Sequence, residues 1–438
     1  MHHRISQRAR AATAAIAIAT LALTACSTST GSGSDDASDG GSIDVVTRWA
    51  SGSPEAAVQK RVFDAFTAET GIKLNVTEGL ENIDDQVETA VAAGKSPDLV
   101  IVNLFDKTLG WLDAGVTVAA DQYVEDWGLA DTLKPDALKA WRVGGTDDGE
   151  LQGLPFSGFS WPVWYNTDLL TSAGVDEIPQ TTDDLIAAAA KLRSAGIGPL
   201  VVGGSDWTGQ KLFYQIAQSF TDAAAMKTVM QKGGYCSTDS VMQGIELFTE
   251  LRDGGVFVDN AAGLNSDDMY AQYYSQKAAI MSAGSWAYAG AVDAGTGVEK
   301  VTTLGGFPLP GGAAFDKPTA FQDFTGVGFM ITKEGAQPGH IEKVRQLIEA
   351  LYTEANVGDF VQTTSLLPSV TGDFTAFAAN PLLAQSLKLD QSVSIAVLPD
   401  VWIGSASDPI IQVLTSAYGS SSAQQICQGL DDATASAS

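Results

Sequence analysis

"SIDVVTRWASGSPEAAVQKRVFDAFTAETGIKLNV", Ser42 to Val76, is the stretch whose reading decides the fold. Ile43 to Arg48 reads as a short strand. Ser53 suits an N-cap, Pro54 the first helical position, and Glu55 the positive end of the helix dipole. Val58, Val62, Phe63 and Phe66 then fall on one helical face, and Gly71 ends the helix. Ile72, Leu74 and Val76 alternate as a second strand. A strand, a helix and a strand at this spacing predict a parallel α/β sheet. Ligands bind such sheets beyond the carboxyl ends of the strands, which here means the loop Trp49 to Ser53.

The same logic recurs along the chain. "IDDQVETAVAAGKSPDLVIVNL" is a helix with Val87 and Val91 on one face, a break, and the strand Leu99–Val102, with Asn103 at the strand's end. "TTDDLIAAAAKLRSAGI" is a helix with Thr182 as its N-cap. "IEKVRQLIEALY" is another amphipathic helix, and the terminal "DDATASAS" reads as a polar, frayed tail. Roughly 395 residues follow Ser42, too many for one ordinary core, so two α/β lobes are expected.

Working toward the N-terminus, Arg4, Arg8 and Arg10 precede an apolar run from Ala11 to Ala25, the layout of an export signal in residues 1–25. The run is about fifteen residues, short of the roughly twenty that span a bilayer. It ends in Leu23-Thr24-Ala25-Cys26, which resembles a lipobox and implies lipidation of Cys26. After Cys26, residues 27–42 are Ser, Thr, Gly and Asp with the single Ala37, so residues 26–42 have the composition of a flexible tether above a membrane surface.

The net charge of −27 speaks against nucleic acid as a partner, since phosphate binding rests on Lys and Arg. With Cys26 lipidated, Cys236 and Cys427 remain as a pair in an oxidising compartment. They form a disulfide or stay as two buried thiols. His340 is the one histidine after the signal, and it opens a helix. No G-x-S-x-G, H-E-x-x-H, paired CxxC, P-loop or strand-linked GxGxxG occurs, so no metal or cofactor is expected. Carboxylates are plentiful enough to leave a glycosidase pair or an all-oxygen cation site open.

Trp49, Trp161, Trp164, Trp207, Trp286 and Trp402 each sit within two residues of Gly, Ser, Pro or Asp. Any one alone reads as core with its N–H satisfied. Their recurrence at expected loop positions reads as a stacking surface for the apolar faces of sugar rings.

Several stretches together resemble the extracellular solute-binding proteins of carbohydrate ABC transporters, the maltose-binding-like family 1. They are "LPFSGFSWPVWYNTDLLTSAGV", "IPQTTDDLIAAAAKLRSAGI", "SQKAAIMSAGSWAYAG", "FTGVGFMITKEGAQ" and "VQTTSLLPSV", in that order. The family's usual Thr-Trp is Thr181-Thr182 here. "VGGSDWTGQKLFYQIAQS" and "GGFPLPGGAAFDKPTAFQDFTGVGFMIT" resemble its glucose-type branch, in which residues matching Trp207 and Asp323 approach the sugar. Trp49 and Glu55 match that branch's first loop, although Arg48 stands where a second aromatic often does.

The resemblance implies a two-lobe periplasmic-binding-protein-like fold of type II, with a hinge and an interlobe ligand cleft. The N-terminal lobe is then 43–157 plus 287–352 and the C-terminal lobe 158–286 plus 353–438. The chain would cross near Pro155–Ser160, near Trp286–Gly290 and near Tyr352. A mono- or oligosaccharide would be held by Trp49, Glu55, Asn103, Trp161, Trp207, Lys211, Trp286 and Asp323 without covalent chemistry. The loaded monomer would dock on separate ABC permease subunits driven by an ATPase. The alternatives are a secreted lipoprotein glycosidase, a carrier of another small polar solute, and a tethered adhesion module.

Overall fold

The computed structural model describes residues 41–79 and 82–437. The signal segment, Cys26 and the tether up to residue 40 lie outside the described residues.

The opening unit forms as its residues dictate. The helix Pro54–Thr70 starts at Ser53, whose side chain accepts the Ala56 N–H, and stops at Gly71, which takes φ 74°. Its buried face is Val58, Gln59, Val62, Phe63 and Phe66. Strands flank it and continue along the chain as β1 (Ser42–Thr47), β2 (Lys73–Glu78), β3 (Leu99–Val102), β4 (Leu154–Trp161), β5 (Val163–Asn166), β6 (Gly198–Val201), β7 (Ala278–Ser282), β8 (Thr302–Gly305), β9 (Thr319–Ile331), β10 (Leu367–Pro368) and β11 (Ser394–Ile395).

These strands make two sheets. The first has the order β10-β4-β9-β3-β1-β2, with β11 added beside the start of β9. β1 runs parallel to β2 and β3, while β9 lies antiparallel between β3 and β4. β2 closes the edge, which leaves Val76 on it 42% exposed. The second sheet is β6-β7-β5-β8. Helices Pro54–Thr70, Ile341–Leu351 and Glu354–Thr364 pack together on the first lobe. Helices Trp207–Ala217, Asp239–Asp253, Ser407–Gly419 and Ala423–Ala437 pack together on the second. The result is the expected α/β architecture of two lobes around a cleft.

The changes of sheet fall elsewhere than expected. β4 belongs to the first sheet and β5 to the second, so the chain changes sheet at Pro162 and not before Ser160. β8 still pairs with β5, so residues beyond Trp286 stay with the second sheet and the chain re-enters the first through β9. It does not leave again at Tyr352: Glu354–Thr364 packs on Pro54–Thr70, and β10 pairs with β4. The Tyr352 hydroxyl donates to the Pro155 carbonyl at 2.7 Å and ties that corner to β4. Strand pairing between residues more than 130 positions apart sets these boundaries, and no local pattern reports it.

Two local expectations also change. The helix Thr182–Ser194 is capped by Thr181, which accepts the Asp184 N–H, not by Thr182. The expected frayed tail is helical to Ala437, with Cys427, Leu430, Ala433 and Thr434 buried. Cys427 forms a disulfide with Cys236, 191 positions away. Asp431, one turn on, accepts the backbone N–H groups of Gly234, Tyr235 and Cys236 at 2.6, 2.8 and 3.2 Å. The bridge and this carboxylate together clamp the last helix onto the second lobe.

Closing so long a loop restricts the unfolded chain, so the double variant Cys236→Ser/Cys427→Ser should lose about 2–4 kcal/mol of stability. Thermal unfolding of the oxidised protein and the variant measures this. An unchanged melting temperature would mean that the helix docks without the bridge.

Candidate functional site

A cavity of about 720 Å³ opens between the lobes. The first lobe contributes the loop after β1 through Arg48, Trp49, Ser53 and Glu55, and the loop after β3 through Asn103 and Phe105. β4 gives Phe159 and Trp161, and β9 gives Thr325 to Val327. The second lobe contributes Trp207, Gln210 and Lys211 from one helix, Trp286 after β7, and Asp400, Ser407 and Asp408 near the C-terminus. Seven of the eight expected binding residues therefore line one cavity: Trp49, Glu55, Asn103, Trp161, Trp207, Lys211 and Trp286. Asp323 does not. It lines a neighbouring cavity, with its carboxylate accepting the Thr325 N–H at 2.7 Å.

The aromatic wall is a cluster. Trp161 meets Trp207 at 5.5 Å and 85°, and Trp286 at 5.3 Å and 75°. Trp207 and Trp286 are 6.0 Å apart, and Phe159 stands edge-on to Trp286 at 5.3 Å. Trp161 is only 1% exposed and donates its N–H to the Ser282 hydroxyl at 2.8 Å. Trp49 is 5% exposed and packs on Phe156 and Phe360. Trp161 is the buried backing of the wall, while Trp49 lines the cavity from its separate packing on Phe156 and Phe360. Trp207 and Trp286 are half-buried and present ring surface to the cavity. Trp164 and Trp402 lie outside it; Trp164 is core, its N–H given to the Ala283 carbonyl.

Local sequence explains both presenting rings. Asp206 caps the helix Trp207–Ala217 by accepting the Thr208 N–H, and its second oxygen accepts the Ser266 N–H at 2.6 Å. That fixes the helix start, and Trp207 with it. Trp286 lies over Gly284: a Cβ there would fall 2.2 Å from the indole. The Gly-x-Trp spacing is thus a steric requirement.

The polar lining is mostly pre-paired. Lys211 is buried and bonds Asp400. Gln210, also buried, donates to the Ser407 carbonyl and hydroxyl at 3.3 Å. Arg48 lies over the Phe105 ring at 5.7 Å; burial pulls its pKa down, against the opposing pull of Asp84 and Glu55. The buried Oδ1 of Asn103 has no partner among the described residues and offers an acceptor to a guest. Phe159, Gln210, Asp400 and Asp408 belong to the lining but escaped the sequence reading. Asp400 was findable only through its pairing with Lys211, across 189 positions. His340 is not among the residues lining the cavity and bonds Asp98 at 2.5 Å.

Two α/β lobes enclosing an aromatic and hydrogen-bonding cleft define a solute-binding protein, a receptor that holds a small molecule between its halves. The family profile of bacterial extracellular solute-binding proteins matches residues 49–358, and the chain belongs to that family. A probable sugar-binding periplasmic protein of Rhizobium meliloti is 26% identical over 252 residues, 56% of this chain and 58% of that protein. One of Mesorhizobium japonicum is 27% identical over 45% of this chain and 50% of its own length. The match thus spans 50% to 58% of the length of these curated relatives. Among solved structures, a probable secreted solute-binding lipoprotein from Streptomyces coelicolor is 36% identical, with TM-score 0.83 over 91% of this chain and 99% of that one. A chitin oligosaccharide binding protein, 22% identical, shares the fold with TM-score 0.73 over 90% of this chain and 98% of that one.

Two outcomes follow from the site's geometry. Gly284→Ala should displace the Trp286 indole and weaken binding of a guest in the cavity about tenfold, the worth of one lost ring contact. Titration calorimetry with the best-binding sugar of a panel reads this, and unchanged affinity would remove Trp286 from the contact surface. Burial raises the Asp323 pKa above its ordinary value, which Asp400 reinforces and the Thr325 bonds oppose. A carboxyl raised in the folded state favours folding only while protonated, below the unfolded value of about 3.9, and that advantage is lost as pH rises through the folded value. Asp323→Asn should therefore melt higher than the parent at pH 7, with the gap shrinking toward pH 3.5. An equal loss of stability at both pH values would contradict this.

Proposed function

We propose that this protein captures a neutral sugar in the cavity and presents it to an ABC importer, held at the outer membrane face by lipid on Cys26. The observation that carries the reading is the half-exposed indole pair Trp207 and Trp286, set beside the Lys211–Asp400 pair and the free Asn103 acceptor. Aromatic faces take the apolar C–H face of a pyranose. Side-chain donors and carboxylate acceptors take its hydroxyls through charge-assisted bonds. The family membership and the relatives' descriptions support the carbohydrate class.

Binding works through lobe closure. Trp49, Glu55 and Asn103 come from the first lobe, and Trp207, Lys211 and Trp286 from the second or its border. Only a closed arrangement lets both sets touch one guest, so the guest favours that arrangement. The closed form is then the shape the permease reads, and the ATPase lies in separate subunits.

A thermal-shift panel of mono- and oligosaccharides tests the reading. At least one sugar should raise the melting temperature in a concentration-dependent way. Trp207→Ala should weaken that sugar by about 1–3 kcal/mol. Chromatography after prolonged incubation should recover the sugar intact; released product would instead indicate a glycosidase. No thermal response to any sugar, with none by calorimetry, sinks the reading.

A further inference from the structure

We propose that the guest is an oligosaccharide, one end of which sits against Trp207 and Trp286 while the other fills a second cavity of about 560 Å³. This deepens the sugar-carrier reading above and rests on it.

The two cavities adjoin along three stretches of chain. Thr325 lines both. Phe105 faces the first, and Leu104 and Leu109 face the second. Asp400 faces the first, and Val401 and Trp402 face the second. The turn Asp400–Ile403 packs against residues 106–110 of the opposite lobe, so it stands where the cavities meet. A linear chain too long for the first cavity continues past Thr325 into the second.

The second cavity has the chemistry for a further sugar unit. Gln152 is 3% exposed, and its buried Oε1 has no partner among the described residues. A buried acceptor left unsatisfied is costly, and a hydroxyl donor relieves it. Lys227 lies 4.4 Å over the Trp402 ring and makes no ion pair among the described residues, so it supplies donors beside an aromatic. Asp323 adds an acceptor. Val143 and Ile395, 40% and 44% exposed, give the rim apolar surface. An anionic guest fits worse: Arg142 and Lys139 are already bonded to Asp121 and Asp147, and the carboxylates of Asp136 and Asp323 share the lining.

The probes are three homologous series, gluco-, xylo- and chito-oligosaccharides from one to five units, titrated calorimetrically into the parent and three variants. In the series that binds, affinity should rise at least tenfold between the disaccharide and the pentasaccharide. Trp402→Ala and Gln152→Leu should each abolish that rise while leaving the disaccharide within twofold. Trp207→Ala should weaken short and long chains alike. Using two variants guards against a folding defect in either, and the unchanged disaccharide affinity certifies the fold. Affinity independent of length, or a rise that survives both second-cavity variants, overturns the proposal while leaving the sugar carrier standing. No binding in any series overturns both.

Discussion

The structure hangs on the antiparallel ladder between β4 and β9. β4 is buried at every position from Leu154 to Trp161. Its partners run from Phe329 opposite Leu154 to Phe321 opposite Trp161. One residue later, past Pro162, the same chain is β5 in the other sheet. The ladder is therefore at once the centre of the first lobe and the strut that carries the second. It is also the floor of the cavity, because Phe159 and Trp161 project from it. Register shifts between Pro155 and Phe159 bend the strand there. Gly158 permits the bend: a Cβ would lie 2.2 Å from the Asp323 carbonyl oxygen. Backbone pairing rather than loop conformation positions the aromatic floor.

That placement determines what the remaining residues have to supply. A floor held by buried strands is rigid, so adjustment falls to the parts of the cleft that end in loops. The loop after β1 and the turn at Asp400 are two such parts, and each carries charge. Lys211 and Asp400 neutralise one another, and Arg48 lies within the field of Glu55 and Asp84. A protein of net charge −27 thus keeps a cleft whose cations are matched by acids. On the proposed reading, this suits a guest with hydroxyls and no ionised group. Paired ions present both a donor and an acceptor to it, without the desolvation penalty of a lone buried charge.

Much of this was legible locally. The strand–helix–strand unit from Ser42 to Glu78 follows from an N-cap serine, a first-turn proline, a 3.6-residue apolar period and a terminal glycine. The strand Leu99–Val102 follows from an unbroken apolar run. Tryptophans near Gly and Ser pointed to the cleft, and four of the six named line it. What failed was non-local. Trp161 and Trp164 were read as loop residues but stand in or next to the β4–β5 crossing, fully buried. The side of the wall on which Asp323 falls depends on the β4 register shifts and on the segment 395–402 packed nearby, neither of which leaves a trace in spacing. The last helix looked polar because its apolar residues are few; docking against the disulfide-bearing turn orders it, and propensity alone would not.

The geometry of the two presenting indoles narrows how a ring can be gripped. Trp207 and Trp286 are inclined at 44° with centroids 6.0 Å apart, so they touch one another. A sugar cannot be sandwiched between rings already in contact. On the proposed reading, it lies against the outer face of one indole, with the second ring meeting its edge. Trp161 stands nearly perpendicular to both and props the pair from behind, its own N–H consumed by Ser282. A pyranose held on one face keeps the rest of its perimeter open to hydrogen bonding. On the proposed reading, selectivity among sugars therefore falls to the polar lining, to Asn103, Lys211 and Asp400, while the indoles set the class of guest.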